Sequence, residues 1–180
     1  MNSILFHTLK GLNISFKPIS LDDIQGIHNF LSDKEVKKFI GWNLMKNLDD
    51  TREHIKEMMK EELSGDYLYA SIVLNTTKEI IGTAMLFDFN KATKSAELGY
   101  VLSRNHWGKG YGNETVSLIT NFAFKSLKLN KLNARVTDAN IASSKILRKN
   151  GYELEKIQKD ANLIDGISFD LLYFNKINYN

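Results

Sequence analysis

Between a segment of alternating apolar residues and an amphipathic one, the chain reads W-G-K-G-Y-G-N at 107–113. Three glycines spaced by larger residues allow backbone N–H groups to turn toward one point and allow a ligand close to the main chain. The following segment carries Val116, Ile119, Ala123 and Leu127 at helical spacing. A helix starting there adds unpaired N–H groups and the positive end of its dipole. Strand, glycine loop and helix together predict a seat for a di-anion, best matched by the pyrophosphate of a nucleotide-bearing cofactor.

Charge distribution points the same way. The net charge of +3 is modest, but residues 104–149 hold nine basic residues against Glu114 and Asp138. That segment is +7 and the remainder −4. Most of these basic residues read as a solvated face. No recognisable reader motif with interleaved aromatics accompanies them, which argues against a direct nucleic-acid partner.

The 180 residues fit one domain, 1–180, with a substantial core. The longest apolar run, 80–87, is broken by Gly82 and Thr83 and has strand length, so no membrane partner is expected. The first ten residues lack a signal-peptide layout. There is no cysteine, hence no disulfide or thiolate nucleophile, which suits a cytoplasmic location. His7, His28, His54 and His106 show no metal-ligand spacing, and no metal is expected.

Along the chain, 12–17 alternates and predicts a strand. Ser20 to Asp23 predicts a capping box opening a helix to about Ser32, and Asp50 to Glu53 a second one to about Leu63. Segments 67–75 and 79–89 predict a hairpin. In 95–103, Ala96, Leu98, Tyr100 and Leu102 face one way, and Glu97, Gly99, Val101 and Ser103 the other. A strand at 131–137, a helix at 140–149 ending on Asn150-Gly151, and strands at 152–159 and 167–176 complete the chain. The order β-α-α-β-β-β-α-β-α-β-β predicts a mixed α/β (α+β) fold with a largely antiparallel central sheet flanked by helices.

The loop is neither a P-loop nor a Rossmann fingerprint, because both spacings fail. In order along the chain, L-N-I-S-F-K-P-I-S-L-D-D at 12–23, I-G-T at 81–83, A-E-L-G-Y-V-L at 96–102, W-G-K-G-Y-G at 107–112, N-I-A-S at 140–143 and K-N-G-Y at 149–152 are joined by Asp165-Gly166 and 170–173. Together they resemble the GNAT superfamily of acetyl-CoA-dependent N-acetyltransferases, within it the ribosomal-protein N-terminal acetyltransferases of the RimJ/RimL type. The resemblance covers nearly the whole chain. It departs at Trp107, where the superfamily usually has Gln or Arg, and at Leu147, where many relatives place a tyrosine acid.

The resemblance implies acetyl-CoA as cosubstrate and direct attack by a primary amine in a ternary complex. Backbone N–H groups of Gly108, Lys109, Gly110, Tyr111, Gly112 and Asn113 would bind the pyrophosphate, with the Lys109 side chain as an outer charge. Trp107 and Tyr111 would pack on the cofactor or fill core. The pantetheine arm would follow the strand past Leu102 and Val101. At about 3.3 Å per residue, six steps cover about 20 Å, which carries the thioester toward Glu97. Glu97 is the candidate general base for an α-amine of pKa about 8. Asn140 is read as a helix N-cap that also contacts the pantetheine amides, and Ser143 as the group that binds and protonates the thiolate. Acids from Asp22 to Glu62 would draw a cationic acceptor, or simply cap helices. A protein or peptide N-terminal α-amine is the favoured acceptor. A small amine and a non-catalytic acyl-CoA-binding module are the alternatives. The oligomeric state stays open, with a homodimer allowed.

Overall fold

A seven-stranded sheet runs through the computed structural model, which describes residues 3–40 and 43–179. In chain order the strands are β1 (Ile14–Lys17), β2 (Leu68–Leu74), β3 (Ile80–Asn90), β4 (Ser95–Leu102), β5 (Lys131–Thr137), β6 (Glu153–Ile164) and β7 (Ile167–Ile177). Their spatial order is β1-β2-β3-β4-β5-β7-β6. Neighbouring strands are antiparallel except β4 and β5, which are parallel. The mixed, mainly antiparallel sheet is the one expected from the preponderance of hairpins.

The helices are α1 (Ser3–His7), α2 (Ile24–Leu31), α3 (Lys34–Lys37), α4 (Leu48–Ser64), α5 (Tyr111–Lys125) and α6 (Ile141–Lys149). They divide between the sheet's two faces because the strands alternate. From β2, Leu68, Ala70, Ile72 and Leu74 enter one core, shared with Phe6, Val116, Ile119, Phe122 and Leu147. Tyr69 enters the other, with Ile27, Phe30, Leu31, Val36, Ile55 and Met58. Being covered on both faces, β2 is buried at every position. The alternation predicted for β4 holds: Ala96, Leu98 and Leu102 join the first core and Val101 the second.

Several boundaries differ from expectation. The second long helix starts three residues earlier than the Asp50 box predicts. Asn47 is its N-cap, accepting from the Asp50 N–H at 2.8 Å, while Asp50 accepts from the Lys46 N–H at 2.9 Å. This phase turns Thr51, Ile55 and Met58 inward. Near the start, Leu21 to Asp23 form one 3-10 turn before α2. The short helices α1 and α3 were not expected, and β6 extends beyond Lys159 through a bulge between Gln158 and Asn162.

Candidate functional site

The site begins where two parallel strands part. Pairing of β4 with β5 covers only Ser95, Ala96 and Glu97 against Lys131, Leu132 and Asn133. From Leu98 to Leu102, β4 keeps β3 on one edge and has no strand on the other. Into this gap comes the N-terminal end of α6, while α5 starts just past the end of β4. A cleft of about 600 Å³ lies there, lined by residues 100–102, the glycine loop and α6. A second hollow of about 240 Å³ holds Glu97 and Arg135 and shares Phe39, Ile40, Tyr100, Val101, Asn140 and Ser143 with the first. The two form one passage across the sheet, through its parting.

The loop has the backbone that its glycines allow. Gly108 and Gly110 sit at φ +73° and +87°, with open space where a Cβ would be. The first main-chain bond of α5 runs from the Glu114 N–H to the Gly110 carbonyl at 3.1 Å. The N–H groups of Tyr111, Gly112 and Asn113 therefore precede the helical ladder, at its positive end. Trp107 supports the turn: its indole N–H donates to the Leu102 carbonyl at 2.8 Å, and its ring meets Phe39 at 6.1 Å. Gly112 has a packing role, since a Cβ there would lie 2.9 Å from Ile146 Cδ1. The Asn113 side chain accepts from Asn150 at 3.0 Å, tying α5 to the end of α6. Tyr111 is half-buried against the main core, and the Lys109 side chain points to solvent.

On α6, Asn140 is the N-cap, its Oδ1 accepting from the Ser143 N–H at 3.1 Å. Ser143 Oγ lies 3.2 Å from the Tyr100 hydroxyl. Val101 and Leu102 line the cleft as the strand reading expects. At the far end Glu97 is largely buried and paired with Arg135, Nε to Oε1 at 2.7 Å. Arg135 also reaches Asp88 at 3.3 Å. Burial pushes the Glu97 carboxyl above the ordinary glutamate range, and the Arg135 hydrogen bond pulls it back. Burial also raises the Tyr100 phenol, while its bond to Ser143 opposes the rise.

Sequence reasoning did not single out Arg135, Tyr100, Lys145, Lys149 or His106. The two lysines line the cleft from α6. His106 lines it from behind the loop, and its buried Nδ1 has no hydrogen-bond partner among the described residues. A usable signal existed for Arg135: it stands out of phase with Leu132, Ala134 and Val136, as Glu97 does with Ala96 and Leu98.

Most of the acids between Asp22 and Glu62 have partners within the fold. Asp23 takes Lys17 and the Ser71 hydroxyl, Glu61 the Tyr69 hydroxyl, and Glu62 His7 and the Tyr69 N–H. Asp49 pairs with Arg52, and Glu53 with Lys56. Among the described residues, no group of three His, Cys, Asp or Glu could hold a metal, and no helix is long and apolar enough to cross a membrane.

A glycine loop at a helix N-terminus, followed by a cleft along β4 and a buried carboxylate, fits the acetyl-CoA expectation. Comparison with known proteins agrees. Residues 13–153 match the acetyltransferase (GNAT) domain family. Over 168 residues the chain is 30% identical to the uncharacterized N-acetyltransferase p20 of Bacillus licheniformis, covering 93% of this chain and 94% of that one. The fold is shared with RimL, a ribosomal L7/L12 alpha-N-protein acetyltransferase solved with coenzyme A (TM-score 0.84, 17% identity, 93% and 95% of the two chains). It is shared as well with spermidine N-acetyltransferase from Vibrio cholerae, solved with CoA and spermine (TM-score 0.80, 18% identity, 91% and 95%). The chain belongs to the GNAT family of N-acetyltransferases, enzymes that take acetyl-CoA as their cosubstrate.

Proposed function

We propose that this enzyme acetylates the α-amine at the N-terminus of a protein or peptide, in the manner of the RimJ/RimL-type branch, by direct attack within a ternary complex. The observation that carries this reading is the acceptor end of the passage. Among the described residues lining that hollow, Glu97 is the one carboxylate, set between Phe39, Ile40, Met85 and Phe87. A single acid, already shared with Arg135 in a hollow of mixed polar and apolar lining, suits a single ammonium at the end of a chain. A polyamine or aminoglycoside carries several charges and favours a row of acids. The RimL likeness fits this choice, and the spermidine enzyme shows that the same fold also serves small amines.

Each residue then has a task. The N–H groups from Gly108 to Asn113 hold the diphosphate, with Lys109, Lys145 and Lys149 as surrounding charge. Val101, Leu102, Trp107 and Tyr111 flank the cofactor, and Asn140 fixes the start of α6 beside the pantetheine. Glu97, directly or through water, takes the proton of the attacking ammonium. Amine nitrogen bonds to the acetyl carbon, the carbon–sulfur bond breaks, and Ser143 protonates the departing thiolate. No cysteine is present to carry a covalent acetyl relay.

An acceptor screen with mass detection tests this reading. Peptides with free N-termini, polyamines and aminoglycosides are each offered with acetyl-CoA. A mass gain on peptide α-amines supports it. Selective acetylation of a polyamine or aminoglycoside overturns the acceptor assignment. Calorimetry that detects no binding of acetyl-CoA or CoA to folded protein overturns the site.

A further inference from the structure

We infer that Tyr100 is a positioning residue for thiolate protonation: it orients the Ser143 hydroxyl toward the sulfur and supplies the proton that replaces the one Ser143 gives up. This rests on the reading of Ser143 as the thiolate's proton donor. Three observations carry it.

The first is contact. Tyr100 Oη lies 3.2 Å from Ser143 Oγ, and both residues line both halves of the passage, at their junction. The second is replacement. Position 147, from which many relatives offer a phenol, is Leu147 here, 1% exposed and packed in the main core. Helix α6 therefore presents no phenol there, and Tyr100 brings one from the facing strand. The third is rigidity. The Tyr100 ring lies under the first turn of α5, where a Cβ on Gly112 would come within 3.4 Å of Tyr100 Cε2. Ser143 is fixed from its own side by the Asn140 cap.

The chemistry gives the pair its use. An aliphatic hydroxyl is a far weaker acid than a thiol, so Ser143 alone would protonate sulfur only by becoming an alkoxide. A phenol, even one raised above its ordinary range by burial as Tyr100 is, remains a far stronger acid than an aliphatic hydroxyl and so the better-matched proton source for a thiolate. A serine hydroxyl rotates freely and both donates and accepts. With Tyr100 donating to Oγ, the Ser143 proton is left to point at sulfur. As the carbon–sulfur bond breaks, its electron pair stays on sulfur. Sulfur takes the Ser143 proton, Ser143 takes the phenolic proton, and the phenolate regains one from water as products leave. The amine's proton leaves separately, toward Glu97. Other titratable groups around the cleft are His106, Tyr111, Lys145 and Lys149, with Glu97 and Arg135 at its far end.

The test is single-turnover acetyl transfer by wild type, Tyr100→Phe, Ser143→Ala and the double variant, with the preferred amine. Phenylalanine keeps the ring packing. Tyr100→Phe is expected to slow transfer about 10- to 100-fold, with acetyl-CoA affinity within about twofold of wild type and unchanged thermal unfolding. The double variant is expected to be no slower than Ser143→Ala alone. Incorporating 3-fluorotyrosine at position 100, which acidifies the phenol at nearly constant volume, is expected to move the basic limb of the rate profile to lower pH. Wild-type rates in Tyr100→Phe, multiplicative losses in the double variant, or an unmoved basic limb each overturn the inference while leaving the transferase reading intact. A wild-type chain that releases no CoA with any amine overturns both.

Discussion

Glu97 and Arg135 meet at 2.7 Å on neighbouring parallel strands, at the point where those strands part. On the proposed reading the pair sits at the acceptor mouth, where the arginine would govern when the carboxylate is free to accept a proton. A carboxylate base works only when ionised, so activity should rise with pH through its pKa. Burial raises that pKa and Arg135 lowers it. Arg135→Met removes the lowering partner and leaves Asp88, which pushes upward. The acid limb of kcat/KM should move to higher pH. Glu97→Gln should abolish that limb and cost about 100-fold in kcat/KM. A pH–rate series on the three proteins checks this, and an acid limb that survives Glu97→Gln removes Glu97 from the chemistry.

Gly110 combines φ +87° with open space in front of its Cα. Gly110→Asp should weaken acetyl-CoA binding by at least about tenfold, through strain and a carboxylate aimed at phosphate. Gly110→Ala carries the strain alone and should lose less. Calorimetric titration of both variants separates the two effects, and equal losses would argue against a phosphate at this position.

Lys145 and Lys149 line the cleft opposite the glycine loop. Replacing both with alanine should raise the acetyl-CoA dissociation constant about three- to tenfold at low salt. The difference should shrink as ionic strength rises, because exposed charges are screened. Binding isotherms at two salt concentrations measure it.

Glu114 fastens the start of α5 to the first strand. Its carboxylate accepts from the Asn13 N–H and the Asn13 side chain at 2.9 Å each, and from the Ile14 N–H at 3.3 Å. A Cβ on Gly11 would lie 2.0 Å from Glu114 Oε1. Glu114→Ala should destabilise by about 1–2 kcal/mol through lost charge-assisted bonds. Gly11→Ala should cost no more than that, about 1 kcal/mol, because the flexible Glu114 side chain can swing aside at the loss of those bonds. Combined, they should cost less than the sum, since both act on one contact. Denaturant unfolding of the three variants decides it.

What could be read from the residues follows the range of the forces involved. The alternation in β4 is local and named that strand and its faces, and the spacing of β2 and β3 named a hairpin. The glycine loop is local too, because its chemistry resides in its own main chain. Helix α3 has four residues and α1 five, too few for a helical period to register. The start of α4 was misplaced because D-T-R-E at 50–53 also fits a capping pattern. Asn47 caps the helix instead, accepting from the Asp50 N–H, and Thr51 lies buried one turn on, 2.8 Å from the His28 ring. Contacts such as Glu97 with Arg135, or Tyr100 with Ser143, depend on strand register and on where α6 lands. Neither is written in the neighbourhood of the residues concerned.

Among the described residues, three pairs between β4 and β5 are the one strand-to-strand seam holding the first four strands to the last three. Beyond the seam, from Leu98 to Leu102, that edge of β4 has no strand partner among the described residues. If acetyl-CoA binds in this gap as proposed, the bare edge of β4 would gain hydrogen-bonding partners, and the guest would serve as mortar between two half-sheets. On that reading, affinity for the coenzyme and cohesion of the molecule are one quantity seen from two sides, and saturating coenzyme should raise the unfolding temperature.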